Sequence, residues 1–250
     1  MAKNTKSAPE QTVLQELDSS LNRRSFLRYT GAGVAVSALL LAGCDDDDEG
    51  GMTPDGTVNL GSGDVGILNY AYALEQLEAA FYTAVVALPN FATLFPSATE
   101  RAVLTDIRNH EIAHREFFKA AITGAAASQI IPSLTPNLPA SALASRTSIL
   151  ATAKMLEDIG VGAYNGAGKL LTSSTYLGLA GKIVSVEARH AAEIRDMIEN
   201  GTFASGPAGV TSGNIVDANG LDIALTPTQV LTLAQPFIME TINGSNLPTT

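Results

Sequence analysis

The sequence predicts an all-α protein whose central part is a four-helix bundle. Ala, Leu, Ile and Glu are frequent in the middle of the chain, aromatic residues make up only 6% of it, and Trp is absent. This composition favours packed helices over a β-sandwich or a β-barrel. Between residues 64 and 200 apolar residues recur at i, i+3, i+4 and i+7, which indicates helices that each bury one stripe. The 250 residues suffice for one substantial domain with extensions.

The first two helices are predicted from their capping and stop residues. The first runs from Asp64, a candidate N-cap, to Leu88, which precedes a proline. The second opens at Ser97-Ala98-Thr99-Glu100, which fits a capping box, and continues to about Thr123. The start of the second helix is therefore the best-marked boundary in the chain.

A long connection follows the second helix. Residues 124–140 contain one glycine and three prolines, which indicates a loop that carries the chain along the bundle rather than a simple reversal. The third helix should therefore run parallel to the second. The third and fourth helices are predicted over residues 141–171 and 174–200, with Gly201 as the stop.

Residues 201–250 are predicted to form an irregular C-terminal extension. They are rich in Gly, Thr, Asn and Pro, which are residues typical of turns and loops. One short helix is predicted over residues 226–237. The main bundle is accordingly assigned to residues 64–200.

The N-terminal residues 1–44 are predicted to be an export signal and not part of the fold. Asn22-Arg23-Arg24-Ser25-Phe26-Leu27-Arg28 precedes an apolar stretch over residues 29–43. Paired arginines followed by Phe-Leu resemble a twin-arginine signal. The apolar stretch is shorter than the ~20 residues that a membrane-spanning helix needs. Cleavage is therefore expected instead of retention as a transmembrane anchor.

The segment Leu41-Ala42-Gly43-Cys44 resembles the bacterial lipobox, in which the cysteine is lipidated. Cys44 is the only cysteine in the chain, so it cannot form an internal disulfide. We expect lipidated Cys44 to anchor the mature protein to a bacterial membrane, on its periplasmic or cell-surface face. Residues 45–63, which are acidic and Gly-rich, are expected to form a solvated tether.

The net charge argues against one class of partner. At -10, the chain would repel phosphate backbones, so nucleic-acid binding is not expected.

An internal repeat carries the main functional signal. In the second predicted helix Glu111 precedes His114 by three residues, and in the fourth Glu187 precedes His190 by three. Each pair therefore lies on one helix face, one turn apart. The first and third predicted helices each carry a glutamate seven residues before a tyrosine. These pairs are Glu75 with Tyr82 and Glu157 with Tyr164.

The repeat predicts a di-metal site. Carboxylates within apolar stripes would suffer a large desolvation cost unless something compensated their charge. Two Glu-x-x-His helices and two helices with one further Glu each are the ligand set of di-iron and di-manganese bundles. Two iron ions are expected, with manganese as the alternative, because the site offers nitrogen and carboxylate ligands but no thiolate. The candidate ligands are Glu75, Glu111, His114, Glu157, Glu187 and His190.

In these motifs and in its long crossover the chain resembles the ferritin-like superfamily, and it is most similar to bacterial desiccation-related ferritin-like proteins. The resemblance covers about residues 64–200. It implies that Glu111 and Glu187 bridge the two metals and that the histidine of each pair holds one metal. It also implies that Glu75 and Glu157 are terminal carboxylates.

Two tyrosines and a further glutamate are candidates for supporting roles. Tyr82 and Tyr164 are expected to hydrogen-bond the ligating carboxylates. The repeat selects Glu75 over Glu78 because the third-helix position that matches Glu78 is Gly160. Glu78 stays a candidate substitute ligand.

One motif supports a competing interpretation. His110-Glu111-Ile112-Ala113-His114 also spells the His-Glu-x-x-His motif of zinc proteases. There, His110 and His114 would bind zinc and Glu111 would be the general base. That interpretation leaves the repeat around His190 unexplained. We therefore favour the di-metal site and expect His110 to lie beside the ligands or on the surface.

The expected function is oxygen- or peroxide-linked metal chemistry, such as an oxidase, ferroxidase or peroxide-detoxifying activity in stress protection. The alternative is a non-catalytic envelope protein of the desiccation-related type, in which the metal only stabilises the bundle. Smaller oligomers are left open. A closed storage cage is not expected, because an anchor, a tether and a C-terminal extension would hinder its assembly.

Overall fold

The computed structural model describes residues 53, 56–204 and 215–249. The predicted export signal, with Cys44, lies outside these residues, as does most of the predicted tether.

Four long helices form the bundle, which confirms the predicted all-α fold. A single helical turn, Phe91–Leu94, lies between the first two. Within the described residues no helix is both long enough and apolar enough to cross a membrane. The bundle helices are α1 (Gly63–Val86), α2 (Ala98–Ala126), α3 (Arg146–Gly168) and α4 (Ser174–Ile198).

Serine caps start three of these helices. The Ser97 hydroxyl accepts from the backbone N–H of Glu100, which is one of the two bonds of the predicted capping box, whereas the Glu100 carboxylate accepts from Arg146. The third helix starts later than predicted because residues 140–143 form a separate 3-10 turn. Ser145 then forms a capping box with Ser148, so α3 begins at Arg146. A capping serine satisfies backbone N–H groups that have no partner within the helix.

Asp64 does not cap α1, contrary to the prediction. The N-cap of α1 is Ser62, and Asp64 lies in the first turn of the helix. Its carboxylate instead accepts from the backbone N–H groups of Thr172 and Ser173, each at 2.8 Å. Asp64 therefore ties the start of α1 to the loop that leads into α4.

The contacts between helices set the chain direction. Asn69, in the second turn of α1, donates to the carbonyl of Gln129, just after α2, so α1 and α2 are antiparallel. Tyr82, near the end of α1, donates to Glu157 in the middle of α3, and Tyr164, further along α3, donates to Glu75 in the middle of α1, so these two helices are also antiparallel. Hence α3 runs parallel to α2, which confirms the long crossover.

The C-terminal extension contains regular structure that was only partly predicted. Helix α5 (Pro227–Ala234) and the 3-10 turn Gln235–Phe237 fall within the predicted short helix. Strand β2 (Thr241–Asn243) pairs in parallel with β1 (Thr57–Asn59), which directly precedes α1. This pairing was not predicted from the sequence.

The extension also holds the crossover in place. The backbone N–H of Thr135 donates to the Glu240 carboxylate, and the N–H of Met239 donates to the carbonyl of Thr135. Asn137 donates to the carbonyl of Pro236. The crossover is therefore pinned by residues that lie about a hundred positions further along the chain.

Two glycines of α3 allow the extension to pack against the bundle. The backbone N–H of Leu225 donates to the carbonyl of Gly162 at 2.9 Å. A Cβ atom at Gly166 would lie 1.7 Å from the carbonyl oxygen of Leu225. Only glycine at position 166 permits this close approach of the two backbones.

We predict that Gly166→Ala lowers the free energy of unfolding, because the new methyl group must displace backbone; overpacking of this kind costs ~1–3 kcal/mol. Gly178→Ala in α4 is the matched control. Among the described residues, no atom beyond its chain neighbours and the backbone of its own helix lies within 4 Å of a Cβ at Gly178, so this change should be neutral or stabilise by roughly 0.5–1 kcal/mol. Urea denaturation followed by circular dichroism measures both. Equal stability of the two variants would contradict the packing of Leu225 on α3.

Candidate metal centre

The structure brings all six predicted ligand residues together in the middle of the bundle. Each of the four long helices contributes. All four glutamates are fully buried, and His190 is 4% exposed. The His114 side chain, at 13% exposed, is the most accessible of the six. The residues are Glu75 of α1, Glu111 and His114 of α2, Glu157 of α3, and Glu187 and His190 of α4.

The first half of the cluster is centred on His114. Its Nδ1 lies 2.9 Å from Glu187 Oε1 and 3.5 Å from both Glu75 Oε2 and Glu111 Oε2. One ligand atom from each of these four residues lies within 4.8 Å of the others. This spacing suits a single metal ion.

The second half is centred on His190. Its Nδ1 lies 2.7 Å from Glu111 Oε1, 3.5 Å from Glu157 Oε2 and 3.7 Å from Glu187 Oε2. These four residues also place one ligand atom each within 4.8 Å of the others. Glu111 and Glu187 therefore belong to both halves, the position expected of bridging carboxylates.

The buried atoms at the centre do not satisfy one another by hydrogen bonds. Among the residues that the structure describes, Nδ1 of both histidines and both oxygens of Glu111 and Glu187 have no hydrogen-bond partner, despite the short nitrogen–oxygen distances. The Oε2 atoms of Glu75 and Glu157 likewise have no hydrogen-bond partner among these residues. Buried polar atoms without partners are costly. Cations between them would satisfy all of these atoms at once, so the residues fit two metal ions.

Burial dominates the electrostatics of the metal-free cluster. It raises the pKa of Glu75 and Glu111, and raises that of Glu157 to about 7. Burial acts on Glu187 in the same direction, but the adjacent imidazoles outweigh it and lower the pKa of Glu187 to about 2. Burial lowers the pKa of His114, yet its carboxylate neighbours outweigh this and raise it to about 12. Without metal, the cluster therefore retains protons at neutral pH.

The two predicted tyrosines each orient a terminal carboxylate across the bundle. Tyr82 of α1 donates to Glu157 Oε1 of α3 at 2.5 Å, and Tyr164 of α3 donates to Glu75 Oε1 of α1. Each bond occupies one carboxylate oxygen and leaves Oε2 directed at the cluster. The two hydrogen bonds therefore fix both the ligand orientation and the register of α1 against α3.

Glu78 lies beside the cluster but in neither group of four. It is 3% exposed, and burial and the charge of Glu187 raise its pKa well above the usual range. A Cβ atom at Gly160 would lie 3.2 Å from Glu78 Oε1. The residue that breaks the repeat between α1 and α3 is thus the one that leaves room for the extra carboxylate.

His110 lies outside both groups of four but contacts His190, a member of the second group. Its Nδ1 lies 2.9 Å from Nε2 of His190, and the two rings stack with an interplanar angle of 13°. This contact holds the outer nitrogen of His190 while the inner nitrogen faces the carboxylates, as neighbours of metal-ligating histidines do. The zinc-protease interpretation needs His110 and His114 at one point. His114 belongs to the first group of four potential ligands, whereas His110 belongs to neither group.

One buried ion pair near the site was missed by the sequence analysis. Arg195 of α4 is 1% exposed and lies 2.6 Å from Asp158 of α3, the residue that follows Glu157. The signal in the sequence was that Arg195, a charged residue, directly follows Ile194 of an apolar stripe. No spacing within either helix links the two charges, so their pairing could not be inferred.

A comparison with protein families supports the assignment of the bundle. The model of the family described as "Ferritin-like domain" matches residues 63–200. The match spans α1 to α4 and covers more than half of the chain. No curated protein matches the chain.

We predict that the apparent metal affinity of the metal-free protein rises with pH. Metal must displace protons from groups with raised pKa values, including Glu157 at about 7 and His114 at about 12. Protons should therefore be released when metal binds. The metal affinity should increase as the pH rises from about 6 to about 8, because this range brackets the pKa of Glu157. Calorimetric titration with Mn²⁺ in buffers of different ionisation enthalpy measures this release. Binding without proton release would contradict the prediction.

We also predict losses of metal affinity of different size for two histidine variants. His190→Ala removes a direct ligand and should weaken metal binding by at least the ~10- to 100-fold typical of changes around a site. His110→Ala removes only the neighbour of that ligand and should have the smaller effect. Metal content after dialysis measures both. Loss of metal in His110→Ala with full retention in His190→Ala would favour the zinc-protease motif instead.

Proposed function

The chain belongs to the family of ferritin-like domains, as its motifs predicted, and from this premise we propose that its bundle holds two iron ions that react with dioxygen or peroxide. The observation that carries the proposal is the pair of buried ligand groups that share Glu111 and Glu187. Four carboxylates and two imidazoles suit redox-active iron, with manganese as the alternative. The bound pair would supply two electrons to an oxidant.

The residues divide between two positions. Glu75 and His114 would hold one ion, and Glu157 and His190 would hold the other. The two bridging carboxylates would hold both. This division follows the two groups of four residues and accounts for every member of the repeat.

The surrounding side chains would preorganise the ligands. Tyr82 and Tyr164 each hold one oxygen of a terminal carboxylate, so the other oxygen stays directed inward. His110 holds the outer nitrogen of His190. The bundle buries the glutamates fully, which excludes water and strengthens electrostatic interactions at the centre. Geometry is thus set before any ion or oxidant arrives.

The test is metal content together with oxidant consumption. We expect two iron ions per chain after production with iron, and dioxygen consumption when Fe(II) is added to the metal-free mature protein. Glu187→Gln should lose both properties, because it removes a shared ligand. Glu193→Gln, the same change at an exposed position of α4, is the matched control. One tightly held zinc ion and no iron would overturn the proposal.

The same experiment separates catalysis from a structural role. Two bound ions with no consumption of dioxygen or peroxide would favour the non-catalytic envelope protein. In that case metal would raise the melting temperature by mass action alone. Stress protection would then rest on stability and not on turnover.

We further propose that the protein is exported and anchored by a lipid on Cys44. Support comes from the sequence Arg23-Arg24-Ser25-Phe26-Leu27 and from the lipobox-like residues 41–44. The twin-arginine route exports folded proteins, which would allow metal loading before export.

Cys44→Ala should release the protein from bacterial membranes, because it removes the only thiol in the chain. Membrane fractionation followed by immunoblotting measures the distribution, and mass spectrometry of the wild-type N-terminus identifies the lipid. Leu41→Ile, which keeps the thiol, serves as the control. Unchanged membrane association of Cys44→Ala would contradict lipid anchoring.

A further inference from the structure

A small apolar cavity lies between the four long helices, at the end of the bundle where α1 begins. Its wall includes Leu74, the neighbour of Glu75, and Tyr164, whose hydroxyl donates to Glu75. Phe118, one turn beyond His114, also lines it. The inner end of the cavity therefore adjoins the half of the cluster that contains Glu75 and His114.

The outer part of the cavity approaches solvent. Ala121 of α2 and Leu179 and Ala180 of α4 line it and are half-buried, whereas the residues next to the cluster are buried. The lining thus changes from half-buried side chains at one end to buried side chains beside the metal centre. Along α2 the cavity lies one turn after His114, whereas His110 lies one turn before it.

The size of the cavity limits what it can hold. The space open to the centre of a water-sized sphere is about 20 Å³, which corresponds to a small cavity, since a single water needs ~10–15 Å³. A molecule of two or three atoms fits, but a metabolite of ordinary size does not. The occupant must therefore be very small.

The lining selects for an apolar occupant. Among the side chains of the wall, only three tyrosines carry a polar atom. The Tyr164 hydroxyl donates to Glu75, and the buried Tyr70 hydroxyl has no hydrogen-bond partner within the described part of the chain. Hydrogen peroxide would give up several hydrogen bonds to water on entering and regain few of them. Dioxygen loses no comparable hydrogen bonds to water when it enters. Apolar cavities of proteins stay dry and take up apolar gases.

We propose that this cavity is the binding site and entry path for dioxygen beside the metal centre, and that it disfavours hydrogen peroxide. The proposal rests on the proposed function, because it names the oxidant of that same site. Dioxygen would pass Tyr70, Phe118 and Tyr164, which form part of the cavity wall, to reach the half of the cluster with Glu75 and His114. Peroxide would reach the centre by the side on which His114 is partly exposed.

The test uses xenon as an apolar probe and one substitution that fills the cavity. Crystals of the metal-free mature protein under xenon pressure should show xenon beside Tyr70. Ala121→Leu should abolish that site, because the longer side chain occupies the outer part of the cavity. Ala120→Leu, on the exposed face of α2, is the matched control and should retain it. If Ala121→Leu does not fold, Ala180→Leu fills the same space from α4.

Kinetics of the iron-loaded protein complete the test. Ala121→Leu should lower kcat/KM for dioxygen several-fold and leave kcat/KM for hydrogen peroxide unchanged, whereas Ala120→Leu should change neither. Absence of xenon from the wild-type cavity, or an equal effect of Ala121→Leu on both oxidants, would overturn the proposal. If the loaded wild type consumes neither oxidant, the proposed function fails, while the xenon experiment still decides whether the cavity binds a small apolar molecule.

Discussion

The structure depends on burying four carboxylates at one point in an apolar bundle. Each glutamate loses its hydration, and neighbouring negative charges repel one another, so the arrangement needs protons or cations between the helices. The imidazoles of His114 and His190 supply part of that charge in the metal-free protein. Metal ions would supply more and would satisfy the atoms that lack hydrogen bonds. The buried carboxylates therefore oppose folding of the metal-free protein, although their positions define the geometry of the centre.

Contacts beside the cluster hold the helices in place against the repulsion between its buried carboxylates. The crossed Tyr82–Glu157 and Tyr164–Glu75 bonds lock α1 to α3, and the ion pair of Arg195 with Asp158 locks α3 to α4. A metal site needs its ligands placed within fractions of an ångström, and such placement is reliable only when the ligand rotamers are themselves held. The C-terminal extension contributes at longer range, because it pins the crossover that sets the direction of α3.

Local spacing made the bundle and the cluster predictable. Residues three, four and seven apart share a helix face in any helix, so the Glu-x-x-His pairs and the Glu–Tyr pairs could be recognised without knowing how the helices pack. Features that depend on contacts between distant residues could not be predicted from the sequence. These include the stacking of His110 on His190, the Asp64 contact with the start of α4, and the Leu225 contact on α3. The start of α3 was predicted too early because Ser141, which lies in the 3-10 turn, and Ser145, the actual N-cap, are both suitable helix starts.

The pairing of β1 with β2 has a consequence for how the protein folds. The helix pairs α1–α2 and α3–α4 form between segments that are close along the chain, whereas β1 and β2 are separated by almost all of the described residues. Contacts at such separation require the longest loop to close, so they carry the largest entropic cost and form late. The chain should therefore assemble as two helical hairpins first and close into a ring last. Opening of that ring, in which the two ends part while the bundle stays intact, is then the partial unfolding event that needs the least free energy.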